Sequence, residues 1–186
     1  MASTHNPSKT AVLSTARITL RPYTRADQDF FIGLFQDQDV CRYVADGKVG
    51  SPDDDKALFG RIFDPVYAQD RFAVWAVVTH GDDGQLIGHA ELKPSPADDV
   101  EGWELVYVLA KSHWGRGLGT EIAGAVTRYG LDGDGLALGE VYATVNEGNA
   151  ASIKLLGKLG YELLAVRPEE AFHVHIYRVS RTGFHG

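Results

Sequence analysis

Residues Val108 to Glu121, reading Val-Leu-Ala-Lys-Ser-His-Trp-Gly-Arg-Gly-Leu-Gly-Thr-Glu, constrain this chain more than any other stretch. An apolar, β-like run breaks into a glycine-rich turn and opens at once into a helical pattern. Glycines at alternate positions, Gly115, Gly117 and Gly119, let the backbone come close to a ligand. Several amide N–H groups then point the same way at the positive end of a helix dipole, which suits a phosphate. The spacing is neither a Walker loop nor a dinucleotide fingerprint, because no Gly-Lys-Ser/Thr ends it and no Gly-x-Gly-x-x-Gly is present. Alone, such a triplet makes no more than a tight turn.

A second segment changes that weighting. Val145 to Tyr161 reads as the end of a strand (Val141 to Val145), asparagines, and a short helix with Ile153, Leu156 and Leu159 at helical spacing that stops at Gly160. Alone, Asn149 is a helix cap. Strand, x-x-Gly-x-Gly, helix, followed by Asn-x-x-Ser-x-x-x-x-x-Lys-x-Gly-Tyr, resembles the two halves of the acyl-CoA site of the GNAT superfamily of N-acyltransferases. The resemblance runs from Arg17 to Arg181. Arg17-Ile18-Thr19-Leu20-Arg21-Pro22, Thr24 to Asp27, Trp114-Gly115-Arg116-Gly117 and Thr120-Glu121 are similar to the RimJ/RimL-like branch, which includes ribosomal-protein N-terminal acetyltransferases.

Bulk properties agree. With 186 residues, 44% hydrophobic and 23% charged, one well-filled core is expected. A loose tail over residues 1–15 and a single domain over 16–182 are expected. The single cysteine, Cys41, excludes an internal disulfide and fits a reducing cytoplasm; no Cys/His cluster has metal-ligand spacing, so no metal is expected. No signal-peptide core or 18-residue apolar run is present, which predicts a soluble protein and no membrane partner. A formal net charge of -7 argues against a nucleic-acid backbone as partner. Much of the acid lies between Asp27 and Asp70. It forms either a cleft wall that attracts a cationic amine or a solvated helix surface rich in capping carboxylates.

The pattern along the chain predicts an ordered α/β (α+β) fold. Strand Arg17 to Arg21 precedes a helix from Thr24 to Phe35, a short helix Asp39 to Val44, and a Ser51-capped helix to Tyr67. Strands follow at Phe72 to Thr79 and Gln85 to Leu92, joined by a Gly81-Asp82-Asp83-Gly84 hairpin, then Trp103 to Leu109 after a Pro/Asp loop. A helix with Leu118, Ile122, Ala125, Val126 and Tyr129 on its apolar face ends near Gly130. Strand Val141 to Val145, helix Ala150 to Leu159, and strands Tyr161 to Val166 and Phe172 to Val179 complete the chain. This order matches the GNAT fold, which implies a mixed, mostly antiparallel sheet of about seven strands flanked by about four helices, with two central parallel strands splayed apart.

The resemblance also implies roles. Backbone groups of Tyr107, Val108 and Leu109 on the splayed strand would pair with the pantetheine arm of acetyl-CoA. Trp114, Gly115, Arg116, Gly117, Leu118, Gly119 and Thr120 would surround the pyrophosphate, and the Asn149 amide would contact pantetheine. Trp114 departs from the Gln or Arg common in the superfamily, which shifts the contact toward backbone amides. Glu104 matches a carboxylate that serves as base in many relatives, although an outward-facing strand residue would look the same. His89, His173 and His175 are lesser candidates. Leu156 stands where many members have a tyrosine acid, and Ser152 matches a serine offered to the departing thiolate in some relatives.

The resulting expectation is an acetyl-CoA-dependent N-acetyltransferase acting by direct attack in a ternary complex, since no His or Asp pattern marks Cys41 as a nucleophile. Its acceptor is expected to be a protein or peptide N-terminus. A small amine such as an aminoglycoside or polyamine, or a non-catalytic acyl-CoA-binding module, are the alternatives. Phe172, Ile176 and Tyr177 suit a homodimer edge or core equally.

Overall fold

The computed structural model of the chain describes residues 9–44, 46–81, 84–95 and 101–186. Asp82 and Asp83 of the expected hairpin, most of the Pro/Asp loop and the first eight residues lie outside them. Among the described residues, eight strands form one sheet in the order β1-β2-β3-β4-β5-β6-β8-β7. They are β1 (Leu13–Ser14), β2 (Ile18–Arg21), β3 (Ala73–Thr79), β4 (Leu86–Pro94), β5 (Trp103–Leu109), β6 (Glu140–Asn146), β7 (Glu162–Pro168) and β8 (His173–Ser180). The α-helices among the described residues are α1 (Gln28–Phe35), α2 (Gln38–Cys41), α3 (Pro52–Arg61), α4 (Leu118–Leu131) and α5 (Ala150–Lys158), and they flank the sheet.

Every neighbouring pair of strands is antiparallel except β5 and β6. These two run parallel and meet at a single register position, Glu104↔Tyr142. On their outer sides, β5 pairs with β4 from Trp103 to Leu109 and β6 pairs with β8 along its whole length. The sheet therefore opens into a wedge beyond Glu104, and the edge of β5 that faces β6 carries no ladder there.

Both faces of the central strands are covered, which is why β3 reads as an unbroken apolar run. Ala73, Trp75 and Val77 pack on the α4 side with Ile122, Val126 and Leu156. Val74 and Ala76 pack on the other with Tyr23, Phe31, Phe59 and Ile62. Ile176 and Tyr177 are buried, so β8 is core, while edge strand β7 exposes Leu163, Leu164 and Val166.

Three expectations need correction. Residues 9–15 are docked rather than loose. The Lys9 N–H donates to Asp70 Oδ1 at 2.8 Å, Trp75 Nε1 donates to Ala11 O at 2.6 Å, and Leu13 pairs with Leu20. The helix from Ser51 does not run evenly to Tyr67. After Arg61 the backbone widens into a π-type turn over Ile62–Tyr67, broken at Asp64 (φ -129, ψ 100) ahead of Pro65, which lacks an N–H. The short helix after Asp37 ends at Cys41 rather than Val44.

Candidate functional site

The wedge holds a cavity of about 440 Å³. One wall is β5 with Tyr107, Val108 and Leu109; another is the loop and first turn of α4 with Trp114, Gly115, Gly117, Leu118, Gly119 and Thr120; a third is α5 with Asn149 and Ser152. Asp39, Val40, Tyr43 and Val44 close it from the α2 side. Of the residues expected at the cofactor, only Arg116 stands outside this lining.

The loop folds this way because Gly115 and Gly117 take positive φ (+71° and +77°), a conformation that side-chain-bearing residues rarely adopt. Gly117 is the N-cap of α4, and no side chain caps the helix. The N–H groups of Gly117, Leu118, Gly119 and Thr120 have no protein acceptor among the described residues. That leaves a cluster of donors at a helix N-terminus. Trp114 is half-exposed, and its indole N–H donates to the Leu109 carbonyl at 2.7 Å. The side chain common in relatives is thus replaced by one that caps β5 and leaves the loop's own N–H groups open.

Two backbone expectations on β5 change. Ala110 N–H donates to Ile87 O at 2.8 Å, which fixes the alternation of the strand. By that alternation Tyr107 and Leu109 direct their backbone groups at the open side, whereas Val108 directs its own at β4. A methyl group at Gly88 of β4 would lie 2.5 Å from Val108 O. Val108 contributes its side chain instead, packed with Leu34 and Val40. At Leu109 the carbonyl is already taken by Trp114, so only its N–H stays available.

Asn149 is the N-cap of α5 and accepts from Ser152 N–H at 3.2 Å through its side-chain oxygen. Its amide NH₂ is left for a ligand, so capping and ligand contact are compatible. Ser152 Oγ lies 2.7 Å from the Tyr107 hydroxyl. Burial raises the Tyr107 phenol above its ordinary range, and the Ser152 hydrogen bond only partly offsets this, so the phenol keeps its proton. Sequence reasoning gave Tyr107 a backbone role and missed its hydroxyl; the alternation of β5 toward α5 was the available signal.

Glu104 sits at the point where β5 and β6 part, on the opposite face from Tyr107. It is 5% exposed, accepts from Thr144 Oγ1 and from Ser95 Oγ (3.2 Å), and lies outside the cavity lining. None of His89, His173 and His175 lines the wedge, whereas His113 does. His89 is buried between the Tyr23 hydroxyl (3.1 Å to Nδ1) and Glu91 (3.2 Å from Nε2), under the rings of Phe31 and Phe35. His173 pairs with Glu147 at the surface. The His175 ring lies 6.3 Å from that of Tyr177, tilted by 53°, and its Nδ1 is buried without a hydrogen-bond partner among the described residues.

The acid between Asp27 and Asp70 is mostly spent on structure. Asp27 pairs with Arg21, Asp64 with Arg25 and Asp70 with Lys9; Asp37 caps α2, and Asp55 is buried against Gln36. Asp39, the carboxylate from this group in the cavity lining, is bound by Lys111 (2.5 Å) and Arg42 (3.0 Å). A capped and paired helix surface describes this acid better than a cleft wall.

A mixed sheet with one splayed parallel pair and an uncapped glycine loop feeding a helix defines an acyltransferase fold, and the chain belongs to the GNAT acetyltransferase family. The family described as Acetyltransferase (GNAT) domain matches residues 17–162. YkkB, an uncharacterized protein of Bacillus subtilis (strain 168), is 28% identical over 149 residues, covering 80% of this chain and 83% of its own length. Two solved structures share the fold. Spermidine N-acetyltransferase from Vibrio cholerae, in complex with CoA and spermine, superposes with TM-score 0.74 at 19% identity, covering 91% of this chain and 98% of its own. Ribosomal-protein-S5-alanine acetyltransferase from Vibrio fischeri gives 0.75 at 12% identity, covering 95% and 100%. The donor substrate the family implies is an acyl-CoA. The residues present fit one, through unpartnered N–H groups for phosphate, an open strand edge at Tyr107 and a free Asn149 amide.

Proposed function

We propose that this chain is an acetyl-CoA-dependent N-acetyltransferase of the RimJ/RimL-like kind, acting directly in a ternary complex on the primary amine of a protein or peptide N-terminus. The observation that carries the reading is one cavity bounded by the free N–H groups of Gly117 to Thr120, the Asn149 amide and the Tyr107–Ser152 hydroxyl pair. Bound acetyl-CoA supplies an activated acyl thioester. The chain supplies the rest. Gly117 to Thr120 hold negative charge, Asn149 and the edge of β5 orient the arm, and Tyr107 with Ser152 holds one donatable proton at the cavity wall.

The acceptor must lose a proton, since an α-amino group has a pKa of about 7.7–8.0. Glu104 is assigned as the base. Its oxygens are held by Thr144 and Ser95, so the proton reaches it through a hydroxyl or water rather than by open contact. Direct transfer is supported by Cys41, whose thiol donates to Phe35 O at 3.0 Å and is pushed up by burial, away from a nucleophilic thiolate. A singly charged acceptor is supported by the compensation of Asp39, the carboxylate in the cavity lining, by Lys111 and Arg42.

The test is CoA-thiol release from acetyl-CoA against peptides with Ser, Ala, Thr or Met N-termini, polyamines and aminoglycosides. Release with peptides, reduced about tenfold or more (about 1.4 kcal/mol) by Glu104→Gln with the melting temperature held, is the expected result. Release with polyamines alone reassigns the acceptor. Acetyl-CoA binding without release across the panel makes the chain an acyl-CoA-binding module.

A further inference from the structure

We propose that Arg17 and Glu121 form a brace that positions the phosphate-binding loop, so that affinity for the pyrophosphate of acyl-CoA is set partly by the segment before β2. Both are positioning residues. The inference rests on the acyl-CoA reading of the wedge and adds to it the device that aims the loop.

The contacts converge on one carboxylate. Glu121 Oε1 accepts from Thr15 Oγ1 at 2.5 Å and from the Arg17 backbone N–H at 2.9 Å; Oε2 accepts from Arg17 Nε at 2.7 Å and Nη2 at 2.6 Å. The remaining guanidinium nitrogen, Nη1, donates to the Arg116 carbonyl at 2.9 Å. Glu121 also uses its own backbone N–H to take the next carbonyl, that of Gly117, at 3.3 Å. The ion pair therefore holds the Arg116 carbonyl directly, and the first i→i−4 bond of α4 holds that of Gly117.

A trans peptide is planar, so its N–H points opposite to its C=O. Fixing the carbonyls of Arg116 and Gly117 turns the N–H groups of Gly117 and Leu118 away from the brace, and both of these residues line the wedge. The geometry also answers an electrostatic problem. A carboxylate in the first turn of α4 favours the helix but repels a phosphate bound at the same end. Arg17 cancels that charge and draws the carboxylate toward β1 and β2, where its side chain is 16% exposed. Burial alone would raise the Glu121 pKa; the donors from Thr15 and Arg17 outweigh it and hold the group ionised below its ordinary range. Arg17 is the residue type the task requires, because a planar fork reaches carboxylate and carbonyl at once while a lysine ammonium is a single point.

The experiment compares CoA with pantetheine, which has the arm but no phosphates. Wild type, Arg17→Ala, Arg17→Lys and Glu121→Gln are titrated with CoA by calorimetry and with pantetheine by ligand-observed NMR, with melting temperatures alongside. The expected result is a weakening of CoA binding by about tenfold (about 1.4 kcal/mol) in both Arg17 variants, pantetheine binding within about twofold of wild type, and a rise in acetyl-CoA KM with kcat unchanged. Arg17→Lys keeps the charge and carries the comparison if Arg17→Ala does not fold. CoA binding within about twofold of wild type in all three variants, or equal weakening of CoA and pantetheine, overturns the brace. Failure of the wild type to bind CoA overturns the acyl-CoA reading and the brace together, and that arm is read first.

Discussion

On the proposed reading, the hydroxyl pair in the wedge stands in, from a different element, for the tyrosine donor that the resemblance places at Leu156. Leu156 fills the family's tyrosine position and is fully buried, while Tyr107 reaches from β5 to Ser152, 45 residues away in sequence. Sharing one hydrogen bond, the two act as a unit, so their losses should not add. Tyr107→Phe and Ser152→Ala are each expected to lower kcat about tenfold, and the double variant by no more than about twofold beyond the worse single. Independent, multiplying losses in steady-state kinetics would count against a shared proton. The same logic of partners governs Glu91. Burial raises its pKa, but His89 and Lys93 lower it more, to about 2 against an ordinary 4.5. Glu91 lies 3.2 Å from His89 Nε2, and His89 Nδ1 lies 3.1 Å from the Tyr23 hydroxyl, which burial keeps protonated. A depressed carboxylate stabilises the fold fully above its unfolded pKa and loses that contribution as pH falls through the folded value, here from about 4.5 down to about 2. Urea unfolding at stepped pH should show wild type losing roughly 1–3 kcal/mol more than Glu91→Gln across that window. Parallel curves for the two proteins would remove Glu91 from the acid transition.

At the level of elements, the α2–α3 connection meets the β6–α5 turn across the wedge mouth. A methyl group at Gly148 would come within 3.4 Å of Tyr43 Cε1, and Tyr43 lines the cavity although it is 39% exposed. This proximity places a partly exposed aromatic at the cavity mouth, so on the proposed reading Tyr43→Ala is expected to raise the acceptor KM about fivefold and the acetyl-CoA KM less than about twofold, read from initial rates with each substrate varied. The reverse ordering would make Tyr43 part of the donor wall. Elements with local signals were legible in the sequence. Trp103–Leu109 is bounded as expected because Gly102 and the glycine loop punctuate it, and α5 is bounded by Asn149 and Gly160. The two-residue β1 was not, since so short a strand exists only by pairing with Leu20 and Thr19. Pro65 was a visible break in the third helix that its strong Ser51 start obscured. The splay itself is non-local: the resemblance implied it, but nothing in β5 or β6 alone says that they meet only at Glu104↔Tyr142. Likewise, Arg17 and Glu121 were both noted as motif residues, yet their pairing across 104 positions is a product of the sheet order.

For the molecule as a whole, the question is whether its charge selects the acceptor. A formal net charge of -7 would draw any cation from a distance. Long-range attraction and a binding site are separable, however, because exposed charges are screened over about 8–10 Å at 0.10–0.15 M salt while contacts inside a cavity are screened much less. The acid of the α1–α3 region is tied to Arg21, Arg25, Lys9, Lys111 and Arg42. Of the rest, Asp53, Asp54 and Asp55 in the first turn of α3 have no cation partner among the described residues but lie outside the cavity lining, so they accelerate encounter without holding several positive charges at fixed points in the wedge. A peptide amine carries one charge to be deprotonated; a polyamine carries several that must be matched. The acceptor KM for a peptide is therefore expected to change by less than about threefold between 20 mM and 300 mM salt. A rise of about tenfold or more over that range, measured at fixed pH with saturating acetyl-CoA, would mean that uncompensated carboxylates do gather at the mouth in the complex, and the acceptor would then belong among the polycationic amines.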